Sequence, residues 1–228
     1  MSNLLNRVTF TGVDDNTNIE DLICLTKKYP FVEFGVLVSK NNSNTGTVNR
    51  YPNLTILKRL KNKGLDLSCH ICGSIARDIV QKNDWSELEK LLGKDIDIFN
   101  RFQLNVSGVH KFSKDISFRK NKDFIIQLKE DLSLYDYYKD LPNVYGFQDN
   151  SGGLGKFEDN WMNSDKYFGY AGGLSAENIE KVIEDLLIVS DDDFWIDMES
   201  SVRTNDWFDI KKCEEVLKIC EKFIYITS

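Results

Sequence analysis

Asp149 closes the apolar run Val144-Tyr145-Gly146-Phe147-Gln148 and is followed at once by Asn150-Ser151-Gly152-Gly153-Leu154-Gly155-Lys156. A carboxyl group at such a place can lend or take a proton, while glycine lets backbone come close to a bound molecule. Other proton-transfer and hydrogen-bonding groups recur in pairs two residues apart: His70 and Cys72, Gln103 and Asn105, Gln127 and Lys129, Asp197 and Glu199. A spacing of two puts both members of a pair on one face of a strand. A charged pair such as Asp197 and Glu199 is too costly to leave unpaired against an apolar helix layer, so these faces are expected to turn toward a ligand. Carboxylates, an imidazole and a thiol are the groups of acid–base chemistry. Thr11, at the end of Val8-Thr9-Phe10-Thr11, offers a hydroxyl that hydrogen-bonds but needs its own base to accept a proton near neutrality.

Two short turns suit an anion. Ala171-Gly172-Gly173-Leu174 and Glu199-Ser200-Ser201-Val202 both follow apolar runs and lead into turns or helices. Bare backbone N–H groups and the positive end of a short helix hold phosphate in such places, which makes Gly172, Gly173, Ser200 and Ser201 candidate phosphate contacts. The segment Cys69-His70-Ile71-Cys72 invites a zinc reading, but neighbours on a strand face opposite ways and no second ligand pair follows at finger spacing. No metal and no cofactor is expected. His70 and Cys72 share a face and are candidate bases. The basic run Lys111, Lys114, Arg119, Lys120 and Lys122 suits a solvated loop, and Tyr135, Tyr137 and Tyr138 suit one covering helix.

The elements that must position these groups alternate. Strand-like runs are expected at 8–12, 32–39, 66–72, 102–107, 124–129, 144–149, 167–171 and 194–199. Helical periodicity falls between them at 19–28, 54–63, 74–81 with 85–92, 134–139, 176–188 and 210–223, and a further helix is expected somewhere in 109–123. Strands separated by helices pair in parallel through right-handed crossovers. Eight strand–helix units in a chain of this size predict an α/β fold, a closed (β/α)8 TIM barrel. A doubly wound open sheet is the alternative, and it would call for a glycine fingerprint after the first strand, where Thr11-Gly12-Val13-Asp14 is not one. In a barrel the ligand meets the carboxyl ends of the strands, where the polar pairs lie.

With 228 residues, three prolines and no Ser- or Pro-rich tract, the chain offers no obvious linker, so residues 1–228 are read as a single domain. The net charge of −7 argues against general nucleic-acid binding, which draws on clustered Lys and Arg. No window approaches the ~20 apolar residues of a membrane span, and the first residues lack a signal-peptide stretch. Five scattered cysteines, at 24, 69, 72, 213 and 220, are not a disulfide framework, and a cytoplasmic protein with reduced thiols is expected. The Asn-X-Ser/Thr triplets at Asn41, Asn53 and Asn105 then carry no sugar.

Through most of its length the chain resembles the phosphoribosylanthranilate isomerase family. Asp149-Asn150-Ser151-Gly152-Gly153-Leu154-Gly155-Lys156 looks like the family's Asp and Gly-Gly-Thr-Gly-Lys after the sixth strand. Ala171–Leu174 with Glu177-Asn178 is similar to its Ala-Gly-Gly-Leu and helix-opening Glu-Asn. Asp197-Met198-Glu199-Ser200-Ser201-Val202-Arg203 resembles its last-strand Asp-Val-Ser-Ser-Gly-Val-Glu. Ser39 with Arg50-Tyr51 matches its Ser and Arg-Tyr element, and Gln103-Leu104-Asn105 stands where the family has Gln-Leu-His. The resemblance implies an Amadori rearrangement of a phosphorylated aminoaldose, with Asp149 as general acid and Arg50 facing an acidic group of the substrate. It implies phosphate at Gly172, Gly173, Ser200 and Ser201, with Asn105, Asp197 and Arg203 on the substrate side.

Departures from the family bear on the chemistry. Thr9-Phe10-Thr11-Gly12 replaces Lys-Ile-Cys-Gly, so the family's basic cysteine is Thr11; Glu199 replaces a small Ser; Ser201 replaces a Gly. A carboxylate at Glu199 would repel phosphate unless turned away or paired, and Arg203 is one candidate partner. Two functions follow: an isomerase whose base has moved to His70, Cys72 or Glu199, or a phosphate-ligand-binding barrel without isomerase activity. Either takes a small phosphorylated molecule as partner.

Overall fold

The computed structural model describes residues 4–106, 111–119, 121–128, 132–149, 151, 156–157 and 159–224. Eight parallel strands close into a barrel: β1 (Leu5–Thr11), β2 (Val32–Val38), β3 (Leu67–Cys72), β4 (Arg101–Asn105), β5 (Asp123–Leu128), β6 (Val144–Asp149), β7 (Phe168–Ala171) and β8 (Phe194–Met198). Each pairs with the next, and β8 returns to β1 in the register Thr9 to Asp197 and Phe10 to Met198. Every residue of β2, Val-Glu-Phe-Gly-Val-Leu-Val, is buried, as a strand covered on both faces must be.

The helices are α1 (Ile19–Lys28), α2 (Ile56–Leu60), α3 (Ser74–Lys82), α4 (Ser86–Leu92), α5 (Ser133–Tyr138), α6 (Ile179–Val189) and α7 (Ile210–Cys220). Local chemistry starts them. The Asn18 side chain accepts from Glu20 N before α1, and the Asp209 side chain accepts from Lys211 N and Lys212 N before α7. Leu22 and Leu25 of α1, and Cys213, Val216 and Leu217 of α7, turn inward onto the barrel. No described helix is long and apolar enough to cross a membrane.

The expectation of eight strand–helix units needs correction. Among the described residues neither the β4–β5 nor the β6–β7 connection carries a helix. Side chains satisfy the backbone there instead. Tyr138 Oη donates to Ser113 O and accepts from Ile116 N, and the Phe118 ring packs 4.7 Å from Phe124. After β6, Gln148 Nε2 donates to Asn160 O, Gln148 Oε1 accepts from Met162 N, and the Trp161 ring lies 5.9 Å from Tyr170. These aromatic groups cover the sheet where an amphipathic helix would. The helix expected at 176–188 begins at Ile179, because Asn178 Oδ1 accepts from Ser175 N and holds a turn first.

The amino-terminal half of the barrel interior is filled. Glu33, fully buried, accepts from Thr9 Oγ1 at 2.9 Å and from Arg7 Nη1 at 2.8 Å, with Arg101 Nε at 3.5 Å. Trp195 lies between the Arg101 guanidinium, 4.3 Å from its ring, and the near-parallel Phe147 ring at 6.2 Å. Gly169 makes room for it, since a Cβ there would sit 2.2 Å from the indole. This floor closes one end and leaves the carboxyl ends of the strands open.

Candidate active site

A cavity of about 680 Å³ opens at that end. Its walls come from β3 (His70, Cys72), β4 (Gln103, Asn105), β5 (Gln127), β6 (Asp149) and β8 (Asp197), with Glu199 just beyond. Period-two alternation brings these side chains to one opening. Loops add Arg50 and Tyr51 after β2, Gly172 and Gly173 after β7, and Ser200 and Ser201 in the 3-10 turn after β8. Lys129, Asn150, Gly152, Gly153 and Gly155, singled out in the sequence, lie outside the described residues, as do Lys120 and part of the stretch 109–123.

Asp149 is held at both oxygens. Oδ1 accepts from Ser151 N and Oγ at 3.1 and 2.8 Å, and Oδ2 accepts from Gln127 Nε2 at 2.9 Å. It is 8% exposed, so the carboxyl is oriented by the protein and still reaches the cavity.

Thr11 does not line the cavity. It is buried beneath it, donating to Asp197 Oδ1 at 2.7 Å and lying 3.4 Å from His70 Nδ1. Although it stands where the resembled family has its basic cysteine, Thr11 is a support for Asp197 and not a reacting group. Gly35 permits this packing, since a Cβ there would lie 2.6 Å from Thr11 Oγ1 and 2.9 Å from His70 Nε2.

The two proposed bases of β3 are poorly suited to the role. Gln103 Nε2 lies 3.2 Å from His70 Nδ1 and Ser68 Oγ 3.0 Å from Nε2, so both ring nitrogens have partners. With the amide donating to Nδ1, the ring proton sits on Nε2. Burial, aided by the Arg101 charge, lowers the His70 pKa to about 3, and the ring is neutral. Burial pushes the Cys72 thiol up, although Asn105 Nδ2 donates to its sulfur at 3.4 Å and the Tyr51 hydroxyl bonds it too. A buried thiol of that kind carries little thiolate. Cys69 faces the other way, into the helix layer, and among the described residues no cluster of His, Cys, Asp and Glu is placed to hold a metal.

Around β8 the electrostatics differ. Burial raises Asp197 well above the usual carboxylate range, against the Thr11 hydrogen bond that lowers it; the Glu199 and Asp149 charges add to the rise. Burial also raises Glu199, against the attraction of Arg50 and Arg203. The partner of Glu199 is Arg50, whose Nη1 lies 2.5 Å from Oε1 while Nη2 is 3.8 Å from Asp206 Oδ1. This corrects the candidate pairing with Arg203. It also means that Arg50 is already neutralised by the chain's own carboxylate.

Arg203 is not on the cavity wall. It lies in a hairpin of β9 (Arg203–Thr204) and β10 (Trp207–Phe208), where Nη1 donates to Gly12 O at 2.7 Å and Nη2 to Asp14 Oδ2 at 2.8 Å. Asp14, fully buried, also accepts from Phe208 N. Arg203 therefore clips the loops after β1 and β8 together and is withdrawn as a substrate contact: its donors are spent on backbone and on a buried carboxylate.

Gly173 keeps its place on the cavity wall, but its missing Cβ opens no room for a ligand. At φ +65° it lines the cavity, but the space of a missing Cβ is taken by the chain itself, 2.3 Å from Phe157 N. Close approach at that face is made by the β6–β7 loop. Ser201 Oγ is sealed from solvent and has no hydrogen-bond partner among the described residues. Sequence reasoning missed Ser68 and Gly35 beneath the site, and Asp206 beside Arg50. Ser68 was legible, being two before His70 on the same strand face; Asp206 arrives through a hairpin whose geometry no periodicity announces.

A closed (β/α)8 barrel with an acid-bearing mouth at the carboxyl ends of its strands is thus the class of protein defined by fold and site. Solved phosphoribosylanthranilate isomerases share that architecture. The enzyme from Thermotoga maritima, in monomers generated from the dimer, superposes with a TM-score of 0.61 at 12% identity, covering 96% of this chain and all of that one. The enzyme from Thermus thermophilus gives 0.60 at 14% identity over 95% and 98%. A phosphoribosylanthranilate isomerase in complex with reduced 1-(o-carboxyphenylamino)-1-deoxyribulose 5-phosphate gives 0.59 at 14% over 96% and 100%. At such identities the likeness is one of fold. No protein-family model and no curated protein matches the chain.

Proposed function

We propose that the protein is an acid–base isomerase of a phosphorylated sugar derivative, working by an Amadori-type rearrangement. The observation that carries this reading is that Asp149 and Glu199 line one cavity with Gly172, Gly173, Ser200 and Ser201. Asp149 protonates the ring oxygen, and the C1–O bond breaks to leave a C1=N iminium. Glu199 then takes the C2 proton; the C–H electron pair forms C1=C2, and the C=N pair returns to nitrogen. Ketonisation of that enaminol completes the change, so proton transfers alone suffice.

Glu199 is preferred as base over His70 and Cys72 on physical grounds. Glu199 follows directly on β8 and lines the cavity with Asp149. Burial raises its pKa, which strengthens it as a base, whereas His70 is depressed and Cys72 holds its proton. The phosphate lies by the turns after β7 and β8, where Gly172, Gly173, Ser200 and Ser201 line the cavity. The same reading makes the chain one cytosolic domain, in keeping with five free cysteines.

A second reading, a barrel that binds a phosphorylated ligand without turning it over, is favoured by the Arg50–Glu199 contact, which ties up the base. Deuterium exchange separates the two. Ribosylamine 5-phosphates with varied amine substituents, incubated with the protein in D2O, should lose the C2 proton and convert to ketose carrying deuterium at C1, the carbon protonated as the enaminol ketonises. Asp149→Asn should lower conversion by about 10²- to 10⁴-fold, the usual contribution of one general acid. Binding without exchange for every such compound would leave the second reading in place.

A further inference from the structure

We infer, on the phosphate-binding reading above, that the substrate's end remote from phosphate carries a basic amine and no carboxylate. Among the described residues Arg50 is the only Lys or Arg lining the cavity. Glu199 Oε1 lies 2.5 Å from one of its terminal nitrogens and Asp206 Oδ1 3.8 Å from the other. A carboxylate on the ligand would have to displace Glu199 from Arg50. It would also have to approach Asp149, which shares the same walls. Like charges brought together in a partly dehydrated cleft are strongly disfavoured.

The remaining polar wall is neutral: Gln103, Asn105 and Gln127 offer amides and no compensating positive charge. The three carboxyl groups already repel one another, since the charge of Asp149 contributes to raising both Asp197 and Glu199, and that of Glu199 to raising Asp197. A ligand ammonium relieves that repulsion, as a ligand carboxylate compounds it. The turns proposed for phosphate lie elsewhere on the rim, at Gly172, Gly173, Ser200 and Ser201. The cavity is therefore polarised for an amino-sugar phosphate, and Glu199 is the residue that sets its charge preference.

Calorimetric titration with glucosamine 6-phosphate, glucose 6-phosphate, 6-phosphogluconate and inorganic phosphate tests this, because the first three share a phosphate and differ in bearing an ammonium, a hydroxyl or a carboxylate. The wild-type protein should bind the amine at least about tenfold more tightly than the carboxylate, with the hydroxyl compound between them. In Glu199→Gln, which frees Arg50, that order should collapse or reverse. Equal affinity for the three in the wild type, or tighter binding of 6-phosphogluconate, overturns the inference while leaving phosphate binding intact. Binding of inorganic phosphate alone does the same. If neither phosphate nor any of the sugars binds, the phosphate reading itself fails and takes the inference with it.

Discussion

Thr11 and His70 look alike in sequence, two polar side chains at strand ends, yet each is committed downward into the barrel. The Thr11 hydroxyl is a donor to buried Asp197, and a donor lost under a buried carboxyl leaves that acceptor unsatisfied. Thr11→Val, which keeps the shape, should cost about 1–3 kcal/mol in urea denaturation. An unchanged midpoint would mean that the bond adds nothing. His70 bears on pH. Its folded pKa is about 3 against 6.5 unfolded, so the unfolded chain takes up a proton that the folded protein refuses. The stability this group contributes is complete above 6.5 and is lost as pH falls toward 3. Asp197 and Glu199 act oppositely: raised carboxyl groups stabilise at low pH and lose that contribution as pH rises through their folded values. The clean comparison is between wild type and His70→Gln. Their stability difference should shift toward the wild type as pH rises from about 4 to 6.5, by up to about 1.4 kcal/mol per unit. A constant difference would show that His70 protonates when folded.

At the scale of elements, β8 and the hairpin after it do most to shape the site. Trp195, Asp197 and Glu199 alternate along one face, from floor to mouth, and Arg203 then fastens the next turn to the loop after β1. Removing one partner of a buried ion pair strands the other. Arg203→Ala should therefore destabilise by about 3–5 kcal/mol, because Asp14 would be left buried without its guanidinium. Equilibrium unfolding measures this, and a loss below about 1 kcal/mol would show the clip to be dispensable. The strand Asp197-Met198-Glu199 was legible from its spacing. The hairpin was not: Arg203 and Asp14 are far apart in sequence, and charge complementarity between two loops becomes visible only when the closed barrel brings them together.

Across the whole molecule, alternation of apolar runs was enough to find all eight strands, because a parallel barrel buries both faces of its strands and leaves continuous β-branched and aromatic stretches such as Val32–Val38. The helix expected in 109–123 had no such basis. The described part of that connection is held by Tyr138 Oη and the Phe118 ring, long-range contacts that leave no periodicity of their own. The site was legible as a list of polar strand ends and illegible as a set of pairings, above all in the choice of Arg50 over Arg203 as the partner of Glu199.

What joins these scales is one opening lined by the turns after β7 and β8 and by carboxyl groups, for which we propose a phosphorylated ligand with its phosphate at those turns. Backbone amide shifts during titration with glucosamine 6-phosphate measure this most directly. The account predicts saturable shifts at Gly172, Gly173, Ser200 and Ser201, together with Asp149 and Glu199. Saturable binding that leaves those amides unmoved and perturbs another surface would contradict it.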